Sequence, residues 1–366
     1  MSDNLALAYQ EQLSVKQKRF ESLLAPYFGS RFDLFTSPAK HYRMRAEFRV
    51  WHEGEDTFHI MFSKETKEKY RVNNLNAAHE SINTAMKMML EALKGNEVLR
   101  KKLYQIDYLC TTSNEMLISL IYHKTLDDAW EREISQLKQN NKQFATLDFI
   151  GRSKKQKVVI NRDFVEEVLT INNQQYCFKQ VENSFTQPNA KINIDMIEWA
   201  IEQTNGIKGD LLELYCGAGN FSIPLSSVFN QVVGTEISKS SVSAAQSNIE
   251  KNNVNNLTIV RLSSEEFVKA MAKERVFNRL QGMDLDVFEF STVLVDPPRA
   301  GLDSDTLKMI SAYDNIIYIS CNPDTLAANL DTLTKTHTVE RAALFDQFPF
   351  THHIESGVYL KKRTSS

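Results

Sequence analysis

The sequence predicts an α/β chain in two parts. Residues 183–366 read as a parallel sheet covered by helices, and residues 1–182 as an antiparallel α+β module. Three observations lead there. After Asn189, short β-branched runs alternate with stretches of helical period, the mark of repeated strand–helix units. Before it, Tyr42, Met44, Ala46, Phe48 and Val50 alternate with Arg43, Arg45, Glu47 and Arg49, the period of a half-buried strand. Third, three runs of the second half end in polar residues, where open α/β sheets place their ligands. They are Leu211–Leu214 before Tyr215-Cys216-Gly217-Ala218-Gly219-Asn220, Thr292–Val295 before Asp296-Pro297-Pro298-Arg299, and Asn315–Ile319 before Ser320-Cys321-Asn322-Pro323.

In order, residues 4–25 have the period of an amphipathic helix that Pro26 ends. The alternating run that follows turns at His52–Asp56 and returns over Thr57–Phe62. Asn83–Leu93 is helical, Leu103–Leu109 and Met116–His123 form a second strand pair, and Thr125–Gln139 is helical again. Phe144–Val159 and Asn172–Val181 read as further strands. The second half predicts helices at Ile192–Gln203, Phe221–Phe229, Ser241–Asn252, Ser264–Leu280, Asp303–Ala312 and Asp324–Thr334. Between them lie strands at Asp210–Cys216, Gln231–Ile237, Leu257–Leu262, Thr292–Val295 and Asn315–Ser320. Thr338–Phe345 and Ile354–Lys361 close the sheet as an antiparallel edge hairpin.

Composition narrows the class. With 42% hydrophobic and 24% charged residues in 366, the chain can bury two cores. Cys110, Cys177, Cys216 and Cys321 lack C-x-x-C spacing, which argues against a metal cluster or a disulfide framework. The first residues carry no basic-then-apolar signal and no apolar run reaches membrane-spanning length, so a cytoplasmic protein with reduced thiols is expected. Net charge is −3, but residues 1–180 hold 27 Lys+Arg against 23 Asp+Glu, while residues 181–366 hold 16 against 23. The cations cluster at Lys16-Lys18-Arg19, Arg43-Arg45-Arg49, Lys64-Lys67-Lys69-Arg71, Arg100-Lys101-Lys102 and Arg152-Lys154-Lys155-Lys157. Such patches bind phosphates whatever the global charge, although a single cluster is more often plain solvated surface.

The motifs define the chemistry. Gly217 and Gly219 let a ligand approach the backbone, and Glu236 after the next strand can accept from ribose hydroxyls. The dinucleotide fingerprint needs a third glycine where Ser222 stands, so a nucleoside without pyrophosphate fits better, S-adenosylmethionine foremost. The two prolines after Asp296 make a rigid turn. Amine methyltransferases carry an aromatic where Arg299 stands, which disfavours that reaction. A strand-end cysteine is usually packing, but Cys321 lies between polar Ser320 and Asn322 at a helix start, a position that favours a thiolate. Uracil carbon-5 becomes nucleophilic only after a thiolate adds to carbon-6, and a base must then remove the carbon-5 proton. Asp346, His352, His353 and Glu355 are all candidate bases, and Cys216 is a lesser candidate nucleophile. Adjacent His352 and His353 do not converge on one metal ion, so no metal is expected.

Long stretches resemble the TrmA family, the tRNA (uracil-5-)-methyltransferases: His41–Arg49, Gln105–Leu109, Gln180–Asn189, Leu211–Phe221, Val295–Asp303, Tyr318–Pro323 and Phe345–Pro349. The resemblance implies a Rossmann-like S-adenosylmethionine-dependent methyltransferase domain beside an RNA-binding domain. It implies methylation of carbon-5 of the T-loop uridine (position 54) of tRNA to ribothymidine, and leaves open whether tRNA-like RNAs such as tmRNA are also substrates. It also implies Cys321 as nucleophile, Glu355 as base, and Gln187, Tyr215, Asn220, Glu236 and Asp296 as cofactor contacts. Glu47, Arg49, Tyr104, His123 and Arg299 resemble RNA-contacting positions, with Tyr104 where the family has Phe. Related ribosomal-RNA enzymes carry an extra amino-terminal barrel and four cluster cysteines, both missing here, which favours the tRNA branch; a monomer is expected because the basic module already partners the catalytic one. The competing reading is a non-catalytic tRNA-folding factor on the same scaffold.

Overall fold

The structure, a computed structural model, describes residues 2–63 and 65–364. Lys64 of the expected cationic cluster and Met1 of the expected amino-terminal pattern lie outside the described residues. Two compact units divide the chain. One comprises residues 1–39, 169–178 and 191–366, the other residues 40–168 and 179–190.

The first unit is built on eight strands in the order 33–35, 337–345, 355–362, 315–320, 290–295, 210–214, 232–235, 257–260. All neighbours run parallel except Glu355–Lys362, which is antiparallel to both of its neighbours. Strands Asp210–Leu214, Val232–Thr235 and Asn315–Ser320 are buried along their whole length, which explains their unbroken apolar runs. From Asp210–Leu214 the chain passes to 232–235 on one side and later to 290–295 on the other. The carboxyl end of that central strand is therefore the point where strand order reverses.

A single cut after residue 182 does not describe these units. The helix Ser2–Leu24 contributes Phe20 and Leu24 to the core of the parallel-sheet unit, and Asp33–Phe35 adds a parallel strand outside His337–Phe345. The carboxyl-terminal hairpin is thus not the edge that the sequence led us to expect. Lys16, expected in a solvated cluster, is 2% exposed and pairs with the buried Asp346 at 2.5 Å, while Tyr9 donates to the same carboxylate at 2.7 Å. A buried pair of this kind costs several kcal/mol when one partner is lost. Residues 164–181 form a two-stranded hairpin turned at Asn172-Asn173, both with positive φ (47° and 65°). Asn252 holds the Cys177 backbone N and O at 2.8 Å each.

Two helices are shorter than expected. Ser264–Met271 ends before Lys273, whose φ is 57°, and two single-turn helices at 278–280 and 285–287 replace its continuation. Ser222–Leu225 replaces the longer helix expected through Phe229.

The second unit holds a seven-stranded sheet in the order 69–71, 56–62, 45–53, 103–110, 115–122, 146–153, 156–160. It is antiparallel except for Glu115–Tyr122 against Thr146–Ser153, a parallel pair whose crossover is the helix Asp128–Asn140. A parallel pair requires a crossover of that length, and which strands would pair was not legible from local periodicity. The expected strand Phe144–Val159 is in fact a hairpin, Thr146–Ser153 with Gln156–Ile160. Among the described residues, no helix is long and apolar enough to cross a membrane.

Candidate active site

Four adjacent strand ends of the parallel sheet converge. Strand Asp210–Leu214 runs into Tyr215, which holds a left-handed φ of 62°, a conformation that non-glycine residues adopt only where the surroundings enforce it. Gly217 and Gly219 follow with φ of 55° and 83°. A Cβ at Gly217 would meet open space, whereas one at Gly219 would lie 3.0 Å from Ile223, so the turn is open on one side and tight against its helix on the other. Glu236, after Val232–Thr235, reaches back to this turn and accepts from the Gly217 N–H at 3.0 Å and the Ser238 N–H at 2.7 Å. Each carboxylate oxygen keeps a second lone-pair site for a diol. Asn220 exchanges a pair of hydrogen bonds with Asn193, at 2.8 and 2.9 Å. The Tyr215 hydroxyl meets Ser264 Oγ at 2.6 Å. The charge-fixed carboxylate, the open glycine turn and the planar side chain suit a nucleoside ligand of the kind inferred above.

The reacting corner lies two strands away. Ser320 pairs with Ser356 and Ile319 with Gly357, so the register sets Glu355 across from Cys321. Tyr359 to Ser356 of that strand are opposed by Ile317 to Ser320, and the strand is buried at its start, with Glu355 only 5% exposed. Asn322 caps the helix Pro323–Leu333 and its side chain also donates to the Arg299 carbonyl at 3.0 Å, tying the Asp-Pro-Pro-Arg turn to the cysteine turn. Burial pushes the Cys321 thiol up to about 11, helped by repulsion from Glu355 and Asp296, while the Arg299 guanidinium pulls the other way. Glu355 is held well above the usual carboxylic range by burial and by Asp296, with Arg299 opposing. Burial raises Asp296 to about 7. Three acids share one poorly solvated corner with one guanidinium, so they cannot all be charged together.

Of the four candidate bases, Asp346 is fully buried and committed to Lys16 and Tyr9. His352 is exposed, and His353 accepts from Arg299 at 2.5 Å. Glu355 alone stands across from Cys321. Arg299, a candidate RNA contact, is exposed, contacts His353 and pulls the raised Cys321 thiol back down; the sequence offered only its place after the proline turn as a signal. Gln187 falls in the second unit, half-buried on the segment that follows strand Gln174–Val181. Also in that unit, Tyr104 stacks on His123 with centroids 3.9 Å apart and Arg49 lies 5.4 Å over the Tyr104 ring. Glu47 pairs with Arg45 at 3.3 Å. The lesser candidate Cys216 is 2% exposed and its thiol is pushed far up by burial. Among the described residues, no group of three or more His, Cys, Asp or Glu side chains is arranged to hold a metal ion.

The family model described as tRNA (Uracil-5-)-methyltransferase matches residues 8–363. This chain belongs to the tRNA (uracil-5-)-methyltransferase family. It is 55% identical over 355 residues to the tRNA/tmRNA (uracil-C(5))-methyltransferase of Pseudoalteromonas atlantica, covering 97% of each chain. The protein of the same name from Edwardsiella ictaluri is 53% identical over 356 residues, again with 97% of each chain covered. Among solved structures, the Pyrococcus abyssi tRNA (uracil-54, C5)-methyltransferase in complex with S-adenosyl-L-homocysteine superposes with a TM-score of 0.71. It is 21% identical and covers 96% of this chain and 83% of that one. That likeness establishes the methyltransferase fold over the whole family member described here.

Proposed function

We propose that this enzyme methylates carbon-5 of the T-loop uridine, position 54, of tRNA, and the corresponding uridine of tmRNA, to give 5-methyluridine. The single observation that carries the reading is the register Ser320 to Ser356, which brings Cys321 and Glu355, the next residues along, to the same end of adjacent antiparallel strands, where the carboxyl acts on the thiol. Membership of the family, and relatives named for tRNA and tmRNA, support the substrate.

S-adenosylmethionine, when bound, supplies an electrophilic methyl group; Glu236, Asn220, Tyr215 and Asp296 would hold it. Cys321 gives up its proton to solvent water, and the thiolate adds to carbon-6 of uracil as the 5,6 double bond opens, which places the electron pair at carbon-5. Arg299 offsets the charge on sulfur as the thiolate forms. Once carbon-5 carries the methyl group, Glu355 takes the remaining carbon-5 proton, the 5,6 double bond re-forms and sulfur leaves. A buried glutamate with a raised pKa is suited to hold that proton and return it to water later. The target base must leave its stack to reach the thiol. The second unit grips the RNA through Arg49, Tyr104 and His123, where a ring stacked on a ring beside a guanidinium offers a platform for an unpaired base.

The test is methyl transfer from labelled S-adenosylmethionine to unmodified tRNA, with nucleoside analysis. Label is expected in 5-methyluridine, and Cys321→Ser should abolish it by more than about 10⁴-fold, as removal of a covalent nucleophile does. Label in another nucleoside would overturn the uracil mechanism. No label with intact tRNA binding would favour the tRNA-folding factor.

A further inference from the structure

Arg299 opposes the charges that hold the Cys321 thiol protonated, yet it is an exposed side chain at the end of a turn. Its backbone is fixed, because Asn322 Nδ2 and Thr325 Oγ1 donate to its carbonyl at 3.0 and 3.4 Å. Backbone fixation does not aim a guanidinium at the far end of a flexible side chain, whose rotamer entropy is on the order of 2 kcal/mol. A second contact does so. Arg299 Nη2 lies 2.5 Å from Nδ1 of His353.

That contact determines the state of the histidine. A guanidinium is a donor only and always charged, so Nδ1 must be the acceptor and the ring must be neutral with its proton on Nε2. The ring itself is clamped. Phe348 meets it edge-on at 5.8 Å, His352 lies tilted at 4.4 Å, and the His353 N–H donates to Thr351 Oγ1 at 3.2 Å. The Phe348–Thr351 segment is held in turn by the helix Ser2–Leu24, through Lys16 Nζ on the Phe348 carbonyl at 2.9 Å and Gln12 Nε2 on the Thr351 carbonyl at 2.9 Å. The histidine is therefore a rigid acceptor, two residues before Glu355, bearing on a flexible cation.

We propose that His353 is a positioning residue: its neutral ring, accepting at Nδ1, holds the Arg299 guanidinium beside the turn that carries Cys321 and so favours the thiolate. The inference rests on the covalent role of Cys321 but is read on the thiol itself. The groups facing the sulfur are Arg299 from the proline turn, Glu355 from the adjacent strand, Asp296 from the end of strand Phe290–Val295, and the phenol of Tyr318 beneath. Only Arg299 is cationic. Losing its orientation leaves sulfur among groups that disfavour the anion. At acid pH, a proton on Nδ1 would convert the acceptor into a donor and repel Arg299, so the pin holds only while His353 is neutral.

The experiment is the rate of iodoacetamide alkylation of Cys321 against pH in the full-length protein, followed by mass spectrometry of the Cys321 peptide. Peptide resolution separates it from Cys110 and Cys216, both buried, and from half-buried Cys177. His353→Phe keeps a ring against Phe348 without an acceptor, and His353→Asn keeps an acceptor without the ring. His353→Phe should move the midpoint of the alkylation profile upward by about one pH unit, a tenfold loss of thiolate at fixed pH. It should lower kcat for methyl transfer about tenfold while KM for tRNA stays within about twofold, and His353→Asn should recover most of both. Superimposable profiles for wild type and His353→Phe would overturn the inference, as would His353→Asn behaving like His353→Phe. A shifted profile in a protein that makes no 5-methyluridine would leave the inference standing and sink the proposed function. Normal methylation with an unmoved profile would do the reverse.

Discussion

Two cysteines follow two strands of the same parallel sheet, and their surroundings differ. Cys216 follows Asp210–Leu214 and points into the core, 2% exposed; a Cβ on Gly234 of the adjacent strand would lie 3.0 Å from its sulfur. Its neighbours in charge are Glu213 and Glu236, both of which oppose ionisation, and no cation balances them in the forces acting on it. Cys321 follows Asn315–Ser320 and is half-buried, with two carboxyls nearby, but a guanidinium answers them. A strand-end position in an α/β sheet therefore does not make a nucleophile. Partial exposure and one nearby cation separate Cys321 from Cys216, and these are the surroundings a nucleophilic thiol needs.

The comparison can be broken first at Glu355. If the acid across from Cys321 takes the carbon-5 proton, Glu355→Gln should lower turnover by about 10²–10⁴-fold, the range for a lost general base. It should also leave a methylated RNA–protein adduct that survives denaturing electrophoresis. Wild-type turnover without an adduct would return the role of base to another group.

A smaller effect sharpens the contrast at the Cys216 end. Glu213 is 1% exposed and accepts from Ser222 Oγ. Burial pushes its carboxyl up to about 8, with Asp296 and Glu236 adding to the shift and the Ser222 bond opposing it. The folded state binds this proton more tightly than the unfolded one, whose carboxyl titrates near 4.5. The contribution to stability is then full below about pH 4.5 and is lost as pH rises through about 8. Thermal unfolding of Glu213→Gln should accordingly fall less between pH 5 and 8.5 than that of the wild type. Parallel curves would show that Glu213 is not protonated in the fold. The smallest effect is expected from Cys216→Ala: methylation within about threefold of wild type, with a stability loss of about 1 kcal/mol typical of a modest core truncation. A large fall in kcat there would erase the distinction between the two thiols.

Much of this was legible in the chain. Largely apolar runs at 211–214, 292–295 and 315–319 marked buried parallel strands, because a strand covered on both faces has no polar side to alternate. The glycine turn, Glu236 and Cys321 could be read because each stands immediately after such a run. The failures have physical causes too. Lys16 looked like solvated charge, since sequence spacing cannot reveal that Asp346 waits for it 330 residues away. That Arg299 also acts on the thiol was not legible, since nothing local says which way a long side chain will reach. The amino-terminal helix was assigned to the wrong unit because its apolar stripe announces only that it is covered, not by what.

The sequence by itself determined the element types, the turn chemistry and the residues able to react, because these depend on local periodicity and on functional groups. Only the tertiary structure decided which acid faces the thiol. Asp346, His352, His353 and Glu355 lie within ten residues and were chemically open choices. The register Ser320 to Ser356 set one of them across from Cys321, a buried cation claimed another, and Arg299 engaged a third. Strand register and long-range pairing join residues far apart in the chain, and only folding brings them into contact.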